Sequence, residues 1–150
     1  EDEWYKAAYY DGSTSTYFNY ATGSDTQPAQ TSGGTADGTA VYKPIFTGVQ
    51  LPGPADITNA GGLSPYGTMA QNGNVWEWTR SSYRPYPYRA GDGRNAPAAD
   101  EERVVRGGSW YDRPKRSRSG YRLSYDPWQK VFNVGFRVVV EGQAPSERKP

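Results

Sequence analysis

The sequence contains neither cysteine nor histidine, and each absence restricts the chemistry open to it. Without cysteine, the chain has no disulfide, no thiolate nucleophile and no sulfur ligand of that kind for a metal. Without histidine, it lacks the usual general base and the commonest side-chain ligand of transition metals. Catalysis would have to use carboxylates, tyrosines, lysines or hydroxyls. The compartment stays open, because a cysteine-free chain suits oxidising and reducing surroundings alike.

Aliphatic residues are also scarce. Hydrophobic residues make up 35% of the 150 positions, and 22 of them are aromatic, 13 being tyrosine. The core of a single domain of this size must therefore depend on aromatic rings. The 18 glycines and 12 prolines predict many turns and irregular loops. The longest aliphatic run is three valines at 138–140, far too short to cross a membrane.

Charge is nearly balanced overall but unevenly distributed. The net charge is +1, yet residues 1–102 carry −6 and residues 103–150 carry +7. Such asymmetry indicates either a basic binding face or two parts that neutralise each other on folding. The stretch "GGSWYDRPKRSRSGYR" at 107–122 contains five of the bases and a single acid, Asp112.

The predicted regular structure is limited. Trp4, Ala7 and Ala8 have helical spacing near the start of the chain. Segments 74–79, 103–110 and 133–140 read as strands, with a further short strand near 40–42, and 11–62 and 80–102 read as loops. We expect a core built from Trp76, Trp78, Trp110 and Phe136, flanked by Val105 and Val138.

The strand-like segments carry four motifs in a fixed order: "GNVWEW" at 73–78, "RGGSW" at 106–110, the pair Arg118 and Arg122, and "N-x-GFR" at 133–137. This order resembles the formylglycine-generating (sulfatase-modifying) enzyme family, from residue 1 to about 140. The resemblance implies an α+β, loop-rich fold related to C-type lectins. It covers the C-terminal portion of such a domain at 1–142, before a polar tail at 143–150. We expect the missing N-terminal part, or a partner chain, to complete the fold.

The resemblance also implies calcium sites, which use oxygen ligands. One would use the carbonyls of Gly73 and Val75 with the carboxylate of Glu77. Ala70 stands where the family usually has an Asn or Asp ligand, and the alternative for Glu77 is a buried pair with Arg106 or Arg137. A second site would use Asn19, the carbonyl of Tyr20 and Asp37, the alternatives again being ion pairs or water.

The family's active members oxidise a substrate cysteine to formylglycine with copper held by two cysteines. Those cysteines lie between the "GGS" turn and the arginine pair, where this chain has residues 111–117 and no cysteine. Because a hydroxyl does not replace a thiolate as a copper(I) ligand, formylglycine generation is not expected. We expect structural calcium, no copper or iron, and no catalytic residue in this chain.

The basic residues divide into two predicted groups. Four occupy motif positions and are expected to be structural: Arg106, Arg118, Arg122 and Arg137. The loop that lacks the cysteines supplies a candidate contact surface, for which a merely solvated loop is the alternative: Tyr111, Arg113, Lys115 and Arg116.

The leading hypothesis is a non-catalytic, degenerate family domain that acts as a binding module or accessory subunit of an exported assembly, in the periplasm, cell envelope or extracellular space. Its partner would be another protein or an anionic surface, not nucleic acid, and the chain would not span a membrane. One alternative is the substrate-pocket domain of an iron-dependent sulfoxide synthase whose metal-binding domain lies upstream. Another is a lectin-like hypervariable protein that displays a ligand site.

Overall fold

A computed structural model describes residues 1–43, 53–89, 91–97 and 100–139. Strands and loops dominate this part of the chain. In order along the chain, the elements are α1 (Asp2–Tyr9), β1 (Tyr10–Asp11), β2 (Thr16–Tyr17), β3 (Ala29–Gln30), β4 (Thr39–Ala40), β5 (Trp76–Ser82), β6 (Arg103–Arg106), a 3-10 helix (Pro114–Ser117), β7 (Leu123–Tyr125) and β8 (Val134–Gly135). The predicted α+β, loop-rich class is confirmed. No helix in the described ranges is long and apolar enough to cross a membrane.

Helix α1 is the N-terminal helix that the spacing of Trp4, Ala7 and Ala8 predicts. Its inward face buries Trp4, Ala8 and Tyr9, which pack with Ala21 into one apolar cluster. Asp2 and Glu3 lie in the first turn, where negative charge is favourable. The helix therefore forms because one face is covered, and it ends where the chain turns into strand β1.

The central sheet has four strands in the order β7-β6-β5-β8. Strand β5 pairs antiparallel with β6 and parallel with β8, and β6 pairs antiparallel with β7. The predicted strand at 74–79 is thus β5, shifted toward Ser82. The predicted strand at 103–110 ends at Arg106, because Gly107 and Gly108 both have positive φ and turn the chain.

Two small ladders lie outside this sheet. Strands β1 and β2 form an antiparallel pair, and β3 and β4 a parallel pair. The chain after β4 is attached to the central sheet through Gly73, whose φ is +89°. A β-carbon at Gly73 would lie 2.2 Å from the carbonyl oxygen of Val41, so only glycine allows this approach.

The predicted core is only partly correct. Trp76 and Val105 are buried, whereas Trp78 and Trp110 are half-buried. Phe136 and Val138 are 76% and 80% exposed, so their assignment to the core is wrong. The reason is that β8 ends at Gly135, and no layer within the described ranges covers the side chains that follow it. Of the predicted strand at 133–140, the residues before and after β8 up to residue 139 are not in a strand. Residue 140 lies outside the described ranges.

Two apolar clusters replace the predicted single core. One is the α1 cluster, and the other contains Val41, Ala60 and Ala70, with Met69 and Trp110 packed against it. Trp76 lies on the central sheet with its ring centroid 6.0 Å from that of Tyr121. Aromatic and small residues thus supply most of the burial, as the composition predicts.

Candidate functional site

A cleft of about 500 Å³ opens beside the 3-10 helix. All four residues predicted as a contact surface line it, together with one further lysine and several rings. Its cationic side chains are Lys43, Arg113, Lys115 and Arg116, and its aromatic side chains are Trp76, Tyr111, Tyr125 and Phe132. We call this cavity the basic-aromatic cleft.

Asp112 fixes the wall of the cleft. Its buried carboxylate accepts hydrogen bonds from the Trp76 indole at 2.7 Å, from the Ser109 hydroxyl, and from Arg116 at 2.7 Å. The backbone nitrogen of Lys43 donates to the Asp112 carbonyl at 2.9 Å. One residue therefore joins strand β5, the glycine turn, the 3-10 helix and the segment after β4.

The cations of the cleft differ in what they contact. Arg116 is paired with Asp112, and Lys43 lies over the Tyr111 ring, 5.2 Å from its centroid. Arg113 and Lys115 are exposed, and neither has an ion-pair partner within the described ranges. These two positive charges of the cleft are therefore not used in ion pairs within the described part of the chain.

Three rings contact one another at one side of the cleft. Trp110, Tyr111 and Phe132 meet edge to face, with centroids 5.2–5.9 Å apart. Tyr111 is 45% exposed and Phe132 is 69% exposed, although both are large. Mutual contact fixes the rings while leaving apolar surface open to a ligand.

The polar groups of the cleft are suited to binding. Burial raises the pKa of Tyr125, and the nearby Asp112 carboxylate raises it further, so Tyr125 is a neutral hydroxyl at physiological pH. The Ser109 hydroxyl donates to Asp112 and accepts from Asn133, and the Ser117 hydroxyl donates to the Pro114 carbonyl. The Asp112 carboxylate that Ser109 contacts also accepts from Trp76 and Arg116, whereas Ser117 contacts a carbonyl, which is not a base that would activate it.

Sequence reasoning missed Lys43 and Phe132 as members of this cleft. Lys43 is 68 positions from Tyr111 in the chain, so no local pattern connects the two. Phe132 had a weak signal, since it is a large aromatic residue directly before the "N-x-GFR" motif. Its exposure, which makes it interesting, becomes visible only in the structure.

Arg106 is the most heavily used of the four arginines predicted to be structural. It is 2% exposed and forms an ion pair of 2.7 Å with Glu1. It also donates to the carbonyls of Ser119 and Tyr121 at 2.7 and 2.9 Å, and to the Tyr86 hydroxyl at 3.0 Å. Its guanidinium thus joins the first residue of the chain to β6 and to the loop before β7.

The other three arginines make fewer contacts. Arg122 donates to the Arg84 carbonyl at 2.6 Å and lies between the rings of Tyr83 and Tyr86. Arg118 is exposed, and its guanidinium donates to the Asn19 amide oxygen at 3.3 Å. Arg137 contacts Glu77 and the Met69 carbonyl. The four motif arginines therefore range from buried to exposed.

Glu77, a predicted calcium ligand, has both carboxylate oxygens engaged. Arg137 donates to them at 2.5 and 2.6 Å, and the Trp4 indole donates at 2.5 Å. The structure thus shows the ion pair that was the alternative to calcium at Glu77, with Arg137 as the partner. A calcium ion would have to share the carboxylate with a guanidinium, which repels it. Glu77 therefore fits calcium poorly in this arrangement.

At the second predicted site, Asp25 occupies the position expected of Asp37. Its carboxylate accepts from the backbone nitrogen and the amide of Asn19, both at 2.9 Å. Tyr20 forms a bridge with Ser24, and Asp37 is an exposed residue of the turn before β4. Among the described residues, no three carboxylates, histidines or cysteines are grouped as a metal site.

Asn72 is a polar residue that sequence reasoning did not select. It is 4% exposed, and neither atom of its side-chain amide has a hydrogen-bond partner among the described residues. A buried amide oxygen without a donor is costly unless something else binds it, and it is a ligand that calcium accepts. The available signal was its position directly before Gly73, whose carbonyl belongs to the same predicted site.

Residues 1–142 match the sulfatase-modifying factor enzyme 1-like domain. The mouse protein named inactive C-alpha-formylglycine-generating enzyme 2 is 34% identical over 100 residues, which are 57% of this chain and 29% of that protein. Hercynine oxygenase of Mycobacterium tuberculosis is 30% identical over 142 residues, which are 92% of this chain and 31% of that protein. The chain therefore spans about three-tenths of the length of these relatives.

Among solved structures, Treponema denticola variable protein 1 is 29% identical, with a TM-score of 0.40, over 49% of this chain and 27% of that one. The predicted family and its C-type-lectin-like fold are confirmed. The relative named inactive agrees with a domain that lacks both the cysteines of the active enzymes and any histidine. The chain is a member of the sulfatase-modifying factor enzyme 1-like domain family.

Proposed function

We propose that this domain is a binding module or accessory subunit of an exported assembly, and that the basic-aromatic cleft contacts an anionic group of its partner. The observation that carries this proposal is the pair Arg113 and Lys115, exposed beside Tyr111 without a carboxylate partner in the described part of the chain. Charges that the fold does not use are available to a ligand. Electrostatic complementarity of this kind directs association with a partner of opposite charge.

The test is retention on a polyglutamate-coupled resin at about 20 mM salt, where exposed charges are weakly screened. The double variant Arg113→Ser/Lys115→Ser should elute at lower salt than the parent. A matched control, Lys6→Ser/Arg89→Ser, removes the same net charge from exposed residues that do not line the cleft and should elute with the parent. Equal shifts in the two variants would mean that retention follows net charge alone and would overturn the proposal.

A second candidate is a substrate-pocket domain of an oxygenase with its metal ligands upstream. The observation in its favour is the alignment with hercynine oxygenase, which extends over 92% of this chain. Because this chain has no histidine, any iron ligands of that type would belong to another part of the protein. Sequencing the region encoded upstream separates the candidates: a domain with three histidines at helical metal-site spacing favours the oxygenase.

We also propose structural calcium near Gly73, with the Asn72 amide oxygen and the carbonyls of Gly73 and Val75 as ligands. The unpartnered, buried Asn72 amide supports this, whereas the pairing of Glu77 with Arg137 weighs against Glu77 as a ligand. A bound ion would raise the thermal midpoint. Added calcium should raise the thermal midpoint of the parent above its value in chelator, and it should leave the midpoint of Asn72→Leu unchanged. Equal midpoints of the parent with and without calcium would overturn the proposal.

A further inference from the structure

The basic-aromatic cleft has two chemically different sides. Lys43, Arg113 and Lys115 supply positive charge, whereas Phe132 and Val131 supply apolar surface. A small inorganic anion would use only the charged side and leave the rings in water. The cleft therefore fits a ligand that carries negative charge and an apolar group together.

The apolar side is held in place before any ligand arrives. The Phe132 ring contacts both Trp110 and Tyr111 edge to face, at 5.9 and 5.2 Å between centroids. The cation of Lys43 rests on the Tyr111 ring. Because these rings already contact one another, less conformational entropy is lost when a ligand packs against them than for isolated exposed rings.

The residue types indicate a protein partner. Aromatic residues and arginine are enriched where protein interfaces are most strongly bound. A neutral sugar would find hydroxyl and amide acceptors in the cleft but no free carboxylate among its lining residues, since Asp112 already accepts from three side chains. The available donors and rings suit carboxylates and apolar side chains instead.

We infer that the cleft binds a segment of a protein partner in which acidic residues flank one aromatic or long aliphatic side chain. This inference rests on the proposed binding function and specifies its ligand. The apolar side chain packs against Phe132 and Tyr111, and the carboxylates face Lys43, Arg113 and Lys115. A cavity of about 500 Å³ accommodates one large side chain and its neighbours.

The test is selection of a random peptide library on the 150-residue protein, followed by fluorescence anisotropy of the selected peptides. Selected sequences should combine Asp or Glu with Phe, Trp or Leu. Their Kd should rise at least tenfold for Phe132→Ser and for Arg113→Ser/Lys115→Ser, and stay unchanged for Lys6→Ser/Arg89→Ser. Phe132 is 69% exposed, so its variant should fold, and thermal unfolding checks this.

The alternative outcomes separate the two proposals. Acidic peptides without an apolar preference, unaffected by Phe132→Ser but lost in the double variant, would overturn this inference and keep the proposed function. Peptides bound equally by every variant would overturn both. Phosphatidylserine vesicles serve as a further probe: binding to them that depends on Arg113 and Lys115, with no selected peptide, would identify a membrane surface and overturn the inference.

Discussion

Arg106 and Arg113 lie seven positions apart and have the same side chain, yet they differ in burial and in what they contact. Arg106 is buried, is paired with Glu1 and donates to two carbonyls and a tyrosine. Arg113 is exposed and has no ion-pair partner among the described residues. The difference shows that the basic stretch at 107–122, with the arginine just before it, contains both buried, paired side chains and exposed ones.

Burial decides which use an arginine has. A guanidinium in the interior is tolerated only when its donors are satisfied, so a saturated arginine becomes a fixed part of the fold. An arginine on the surface keeps its hydration and contributes little to stability. Charge alone, read from the sequence, does not separate the two.

The largest expected effect comes from Arg106→Ala. It removes the closer of the two arginines that pair with the buried Glu1 carboxylate, leaving Arg122 at 4.0 Å, and it removes the donors of two carbonyls. This should cost about 3–5 kcal/mol of unfolding free energy. That is a large share of a total of about 5–15 kcal/mol. Urea unfolding of Arg118→Ala is the control, with an expected loss below about 1 kcal/mol because Arg118 is exposed. Equal losses of unfolding free energy in Arg106→Ala and Arg118→Ala would contradict the distinction between buried and exposed arginines.

Asp112→Ala should have the second largest effect. The change leaves the Trp76 indole and the Arg116 guanidinium without their shared acceptor, at an expected cost of about 2–4 kcal/mol. Asp112→Asn keeps one amide oxygen as an acceptor and should cost less. If urea unfolding shows no difference between Asp112→Ala and the parent, Asp112 does not anchor the cleft.

Much of the scaffold follows from the sequence. Helix α1 and strands β5 and β6 coincide with the helical spacing of Trp4, Ala7 and Ala8 and with the β-branched and aromatic runs. These elements were predictable because each has a periodic face or a glycine boundary within a few residues. The extent of β8 was not, since only cross-strand pairing decides that it ends at Gly135.

The site follows from the sequence less completely. Residues 111–116 are consecutive in the chain, so their clustering around a cleft needed no long-range information. Lys43 is distant in the chain and is brought beside Tyr111 by the fold. In the same way, the Trp4 indole donates to Glu77, which is 73 positions away in the chain. The sequence alone could not show that Asn19 contacts Asp25 and not Asp37. Both acids lie in loops after Asn19, and loops have no periodic pattern that would reveal the contact.

Tyr9 and Tyr17 give a smaller contrast between a buried side chain and an exposed one. Burial raises the pKa of Tyr9 above the ordinary value of about 10, so the folded state holds the proton more tightly than the unfolded state. This contribution to stability is present below about pH 10 and is lost as the pH rises above it. The urea midpoint of the parent should therefore be lower at about pH 11 than at about pH 8.

Tyr9→Phe should reduce that alkaline loss, because the group that would ionise is gone. It should also cost about 0.5–1.5 kcal/mol near neutral pH, since the hydrogen bond to the Ser117 carbonyl is lost. The half-exposed Tyr17 supplies the control variant, Tyr17→Phe, which should leave the pH dependence unchanged. An unchanged alkaline loss in Tyr9→Phe would show that other groups cause it.

The most direct measurement is the affinity of a glutamate decapeptide for the parent and for Arg113→Ser/Lys115→Ser over a series of salt concentrations, with urea unfolding of the same samples. The account predicts a change in unfolding free energy within about 0.5 kcal/mol, together with weaker binding and a shallower dependence on salt. A double variant that binds and responds to salt like the parent, or that loses stability as Arg106→Ala does, would contradict it.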